Sequence, residues 1–232
     1  MQPRALVLPI ALLVSAPVLA QDAAKGGAID VPDFRGVAVS HGIRAEVKPG
    51  TKSVRLEGGG EELARVKVVV KDGVLRTEVD RTSMFFSKGL KGVRLYVTSP
   101  RVESVTASGG SHVDAQATKA DSFKVASSGG GEITVKGVDS KELEAAVSGG
   151  GELTLQGRAD RLEVQASGGS IIEARDLSVE SLEVQASGGS RVEARPSKSL
   201  TGELSGGSMV KAAKKPERAE VNASGGSQVQ YE

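Results

Sequence analysis

The chain has 232 residues and a formal charge of +1, which gives no electrostatic reason to bind nucleic acid or an anionic membrane surface. It contains no cysteine, so neither disulfides nor a lipid-modified cysteine can hold it. With 30 glycines, 4 phenylalanines, 2 tyrosines and no tryptophan, it lacks the aromatic stock of a deep enzyme pocket.

Residues 1–20, MQPRALVLPIALLVSAPVLA, read as a secretory signal peptide. Arg4 supplies the positive start, Ala5 to Leu19 the apolar core, and Val18-Leu19-Ala20 a small-residue cleavage site. The apolar run is short for a membrane span and is interrupted by Pro9 and Pro17. No later stretch is apolar enough to serve as a transmembrane anchor. The expected location is periplasmic, outer-surface or extracellular. Residues 21–30, QDAAKGGAID, show no periodicity and read as a flexible lead-in.

A single β domain is expected over 31–232, with an irregular β-rich part over 31–101. Val66, Val68 and Val70 alternate, a turn falls at Lys71-Asp72-Gly73, and Leu75, Thr77 and Val79 resume the alternation. Val93, Leu95 and Val97 repeat it before Pro100. A period of two marks strands. Only Glu61 to Arg65 offers a turn of helix.

Over 102–232 the chain repeats itself. Ser-Gly-Gly begins at Ser108, Ser128, Ser148, Ser167, Ser187, Ser205 and Ser224, at intervals of 20, 20, 19, 20, 18 and 19 residues. Two segments nearly coincide, LEVQASGGSIIEAR from Leu162 and LEVQASGGSRVEAR from Leu182. A fixed period of this length is the signature of a solenoid. The expected fold is therefore all-β, a parallel β-helix solenoid whose coils are each two short strands joined at a Gly-Gly bend. Equivalent strands stacked about 4.8 Å apart would raise a column roughly 34 Å tall. Glycine at the bends supplies positive φ. An antiparallel sandwich would also use short strands and regular turns, but would not require a constant period. Stacking would place Glu173 beside Glu193 and Arg175 beside Arg195, with relief from the diagonal pairs Glu173–Arg195 and Glu193–Arg175.

Candidate chemistry is sparse. The glycine triplets lack the Lys-Ser/Thr and helix of a phosphate-binding loop. Glu132 and Glu152, each following a glycine triplet, are better read as solvated edge charges than as a cation site. His41 and His112 have no metal-ligand spacing and read as surface or loop residues. The seven leading serines read as a vertical row of hydroxyls bonding to each other or to backbone. Met84-Phe85-Phe86 reads as a plug at one end of the column or as an exposed apolar tip. The last repeat, AEVNASGGSQVQYE, shows no obvious cap, so weak homo-oligomerisation through the C-terminal coil is expected. No catalytic, cofactor-binding or metal-binding residue is assigned.

The exported start, FRGVAVSHGIRAEVKPG followed by VKVVVKDGVLRTEV, the VRLYVTSP segment and the serial SGGS units together resemble the head GIN domain family of autotransporter adhesins. The resemblance covers about Phe34 to Gln230 and implies a right-handed, pectin-lyase-like parallel β-helix without established catalytic residues. No membrane-barrel segment or sorting signal follows the repeats within this sequence, so direct anchoring is not expected. The function expected is a non-enzymatic envelope or extracellular adhesion scaffold whose partner is a surface protein or polysaccharide. The alternatives are a pectin-lyase-like carbohydrate-active enzyme and a structural envelope-stress component.

Overall fold

A computed structural model describes residues 27–80, 90 and 92–232. The stretch 1–20 read as a signal peptide, residues 21–26 of the stretch read as lead-in, and Met84-Phe85-Phe86 lie outside the described residues. The N-terminal part contains β1 (Gly36–Val39), β2 (Arg44–Pro49), β3 (Ser53–Glu57), one helical turn α1 (Gly60–Leu63), β4 (Val66–Lys71), β5 (Val74–Val79) and β6 (Arg94–Ser99). Next come β7 (Ser104–Ser108), β8 (His112–Gln116) and β9 (Ala120–Ser128). Four long bent strands follow, β10 (Glu132–Ser148), β11 (Glu152–Ala166), β12 (Ile171–Ala186) and β13 (Arg191–Leu204). The chain closes with β14 (Met209–Ala212), β15 (Arg218–Ala223) and β16 (Gln228–Tyr231).

The ladders from β7 to β16 are parallel and step from each coil to the next, forming a β-solenoid of about six turns. This is the architecture that the constant period requires. The coils have three sides, not the two strands read from the sequence. In β10 the buried–exposed alternation slips twice, at the outward doublets Lys136-Gly137 and Lys141-Glu142. In β12 it slips at Arg175-Asp176. Two successive outward residues turn the strand without ending it, so each long strand bends around the column. The register shift between Val135 and Val138 falls at the first of these corners.

The third corner is the glycine pair. The first glycines have φ between +56° at Gly129 and +68° at Gly168 and Gly188, and the second glycines are also left-handed. The first glycines are stacked in single file. A Cβ on Gly188 would meet the Gly168 nitrogen at 2.9 Å, and one on Gly206 would meet the Gly188 nitrogen at 2.9 Å. The file extends one coil further toward the N-terminus than the seven triplets. Ser40-His41-Gly42 makes the same corner, with φ of 65° at His41 and 78° at Gly42, and Gly109 stacks on the His41 backbone. Left-handed histidine is uncommon but tolerated.

One aliphatic core runs the length of the column, from Ile29 to Ala212. Its main row is Phe123, Leu143, Leu162, Leu182 and Leu200, in register from coil to coil and fully buried. Each such leucine contributes about 1.5–3 kcal/mol by leaving water. Ile29 is also buried and its N–H donates to Val54 O at 2.8 Å, so the fold begins inside the stretch read as lead-in. At the N-terminal end two antiparallel pairings close the stack: β4 on β5 through the Asp72-Gly73 turn, and β3 on β6. At the other end β15 pairs with β13, and β16 with β14.

The expected charge register holds only in part. Glu173 lies beside Glu193, and Arg175 Nε donates to Glu193 Oε2 at 2.6 Å. A register shift after Ala174 sets Arg195 opposite Ser178 and not opposite Arg175. The shift accommodates β13, whose Pro196 takes the place opposite Val179.

Candidate functional site: the outer faces of the column

Packing leaves several concave regions on the outside, of which two bear on the residues singled out above. The first is a groove of about 810 Å³ beside the glycine corner. It is bordered by the leading serines from Ser128 to Ser224 and by Gln165, Gln185, Glu203 and Asn222. The leading serines are half-buried or exposed. They stand in a row, and Ser224 Oγ donates to the Leu204 carbonyl at 3.3 Å, but most of the hydroxyl bonds to the corner backbone are made by the serine three residues on. Ser190 Oγ donates to Ser187 O at 2.7 Å, and Ser208 Oγ to Ser205 O at 2.8 Å, while Ser170 bonds the Ser167 carbonyl in the same way. Ser111 Oγ also accepts from the Gly42 N–H of the preceding coil at 3.1 Å. Satisfying these corner carbonyls inside the fold is structural work. The SGGS spelling, with its fourth-position serine, was the available signal.

Two coils spell the corner with glycine at that fourth position, Gly131 and Gly151. There the space is taken by inward side chains. A Cβ on Gly151 would meet Ser127 Oγ at 2.7 Å and Val147 Cγ1 at 3.0 Å. Ser127 is buried and its hydroxyl donates to Gly131 O at 2.5 Å.

The second region is a depression of about 440 Å³ across β6, β2, β8 and the start of β10. The parallel registers set three outward columns side by side. Arg94, Arg44, His112 and Glu132 form the first, while Tyr96, Glu46, Asp114 and Thr134 form the second. Lys48, Gln116 and Lys136 lie along the third. His112 is held on both ring nitrogens: Nδ1 lies 2.9 Å from Glu132 Oε2, and Nε2 lies 3.2 Å from Asp114 Oδ2. Lys48 pairs with Glu46 within its own strand. Arg55 stacks over one face of Tyr96 at 4.9 Å and reaches Glu57 at 3.2 Å.

The two histidines are far apart in role. His41 is a corner residue whose Nδ1 lies 2.6 Å from Ser40 Oγ. His112 stands on a strand, on the side of the depression. Glu132 and Glu152 are register partners, as their spacing suggested, and Glu132 is engaged by His112. Among the described residues no group of three His, Asp or Glu side chains is arranged to hold a metal ion.

Elsewhere, several cations are matched by carboxylates of a neighbouring coil. Lys124 Nζ lies 2.8 Å from Glu144, Lys141 lies 2.8 Å from Asp121, and Arg158 lies 2.9 Å from Asp139. Hydrogen bonding and then charge hold Asp121 and Asp139 below the ordinary carboxylate range, with Lys141 and Arg158 as the respective partners. The same causes from Glu144 raise Lys124. Glu232 is lowered, first by its hydrogen bond from Lys211 and then, against the opposing effect of burial, by the nearby Arg175 and Lys211 charges. The terminal glutamate thus ties the last coil back to β12 and β14.

The family model described as putative auto-transporter adhesin, head GIN domain, matches residues 33–216. The chain belongs to the head GIN domain family. Its match spans the N-terminal closing strands and most of the glycine file, so the head GIN domain includes both. A search of curated proteins gives no match. Among solved structures, this head GIN domain is similar to a putative adhesin from Bacteroides fragilis, with TM-score 0.79 and 19% identity over 87% of this chain and 94% of that one. A putative lipid binding protein from Parabacteroides distasonis gives TM-score 0.70 and 13% identity over 92% and 98%. A putative adhesin from Parabacteroides merdae gives 0.69 and 17% over 90% and 95%. At these identities the likeness is one of fold. Among the described residues no helix is long and apolar enough to cross a membrane.

Proposed function

We propose that this head GIN domain is an exported, non-enzymatic adhesion scaffold that meets a surface protein or polysaccharide with its lateral faces. The observation that carries the reading is the division of the column. One continuous aliphatic core fills the inside, and the concavities, the serine groove and the β6–β2–β8 depression among them, lie on the outside. Contact with a partner is then made across exposed strand faces at fixed spacing. The signal sequence over 1–20 supports export to the periplasm or the outer surface. Homotypic contact through the last coil belongs to the same proposal: Ala219, Val221 and Val229 there are only partly buried.

The test is attachment. Surfaces coated with the purified domain should retain bacterial cells or their extracted surface polysaccharide above an albumin-coated control. Retention equal to the control would sink the proposal. Sedimentation at rising concentration should show reversible dimers, whereas a strict monomer would remove the homotypic contact.

A lyase reading has one observation in its favour: His112 sits between two carboxylates beside a depression. Against it, both ring nitrogens already lie within hydrogen-bonding distance of a carboxylate of the fold itself. Release of unsaturated product from acidic polysaccharides, with and without calcium, would reverse this ranking.

A further inference from the structure

The ladder places one cation directly on another where β2 and β6 meet. Arg44 is the register partner of Arg94, on parallel strands about 4.8 Å apart. Both side chains are exposed, and among the described residues neither has a carboxylate partner. Glu57 lies across from Arg94 in the antiparallel ladder, but its carboxylate is bonded to Arg55. Like charges directly opposite each other destabilise a sheet.

The contrast with the acidic stacks is informative. Glu132 on Glu152, Glu163 on Glu183 and Glu173 on Glu193 are also like-charge neighbours. Each of these stacks has a member paired with a basic side chain: Glu132 with His112, Glu183 with Arg161, and Glu193 with Arg175. The Arg44–Arg94 stack has no such relief, and it opens on the depression.

We propose that Arg44 and Arg94 form a seat for the carboxylate of an acidic saccharide bound in the depression across β6, β2 and β8. This deepens the adhesion reading above and rests on it for the class of partner. Guanidinium groups meet carboxylates through paired, planar hydrogen bonds, and two of them stacked at strand spacing can hold one carboxylate between them. The rest of the depression suits the rest of a sugar. Tyr96, Thr134 and Gln116 offer neutral donors and acceptors for ring hydroxyls. A volume of about 440 Å³ is far more than a simple inorganic ion occupies. The lining has four basic residues, Arg44, Lys48, Arg94 and Lys136, against two acidic ones, Glu46 and Asp114, so the depression is locally positive on a nearly neutral chain.

The experiment titrates the full domain with trigalacturonic acid, with its methyl ester as the uncharged control. Calorimetry and tyrosine emission provide the readouts; Tyr96 and Tyr231 are the two tyrosines. The acid should bind at least tenfold more tightly than the ester, and binding should weaken with added salt. The double variant R44Q/R94Q should lose at least tenfold in affinity while its melting temperature stays equal or rises, because a repulsive stack has been removed. K124Q, on another face, should bind like the parent. Equal binding by R44Q/R94Q, equal binding of ester and acid, or displacement by an equal concentration of inorganic phosphate would each overturn the seat. The two readings fail separately: loss of cell retention by the parent domain sinks the scaffold whatever the titration shows, and an unchanged titration in the double variant sinks the seat whatever the retention shows.

Discussion

The backbone of Gly188 rests on that of Gly168: a Cβ added to Gly188 would come within 2.9 Å of the Gly168 nitrogen. The next residue, Gly189, has φ of 81° and nothing within 4 Å of the same added atom. Two glycines of one corner are therefore needed for different reasons. Gly188 must be bare both for its φ and for the stack, whereas Gly189 is constrained by φ alone.

Substitution separates the two. Gly189→Ala should cost about 1–2 kcal/mol, the strain of a left-handed alanine. Gly188→Ala should cost that strain and a further ~1–3 kcal/mol for forcing two coils apart. Urea unfolding of both variants measures the difference, and equal losses would show that the corners are not in close contact.

The fourth corner position should be coupled to the side chain beneath it. Gly151→Ala places a methyl group 2.7 Å from Ser127 Oγ and should destabilise by about 1–3 kcal/mol. Ser127→Ala gives up its own bond to Gly131 O but clears that space. The double variant should be more stable than the sum of the two singles by at least ~0.5 kcal/mol, read from a double-mutant cycle. Simple additivity would contradict the packing described.

In the central row, Leu182→Ala should cost about 2–5 kcal/mol, because Leu162 and Leu200 stack on either side and the rigid ladder cannot collapse onto the gap. A loss below ~1 kcal/mol in denaturant unfolding would mean a softer interior than this one.

Acid should weaken the column at a defined limb. Asp33, Asp121, Asp139 and Glu232 are all held below their ordinary values, chiefly by hydrogen bonds from Lys52, Lys141, Arg158 and Lys211. A lowered folded value means the stabilisation is complete above the unfolded value, about 4, and is lost as pH falls through the folded one. Melting temperature should be insensitive to these groups from neutrality down to about pH 4 and decline below it. The decline should be shallow and should shrink in added salt, since the pairs are exposed. A decline that begins near pH 6 would assign acid sensitivity to other groups.

Much of the architecture was written in the chain. The constant interval between Ser-Gly-Gly units specifies stacking, because only aligned coils make the same residue recur at the same place. The Lys71-Asp72-Gly73 turn was equally plain. The third side of each coil was harder to see, since its marks are single pairs of outward residues such as Arg175-Asp176, which look like ordinary polar positions. The corner at Ser40-His41-Gly42 escaped notice because histidine stands where the other corners have glycine. The buried row of the fourth-position serines was not singled out: both serines of SGGS repeat with the same period, and periodicity does not say which one faces inward.

By itself the sequence determined that this chain is a column of parallel coils with an aliphatic interior, since backbone pairing and side-chain alternation are local rules repeated at fixed spacing. Only the tertiary structure decided what stands beside what on the outside. Arg44 and Arg94 are fifty residues apart, on either side of β3, α1, β4 and β5, and no period relates them. They meet because β3 turns back and lets β6 enter the stack in parallel beside β2, and that register exists only once the chain has folded.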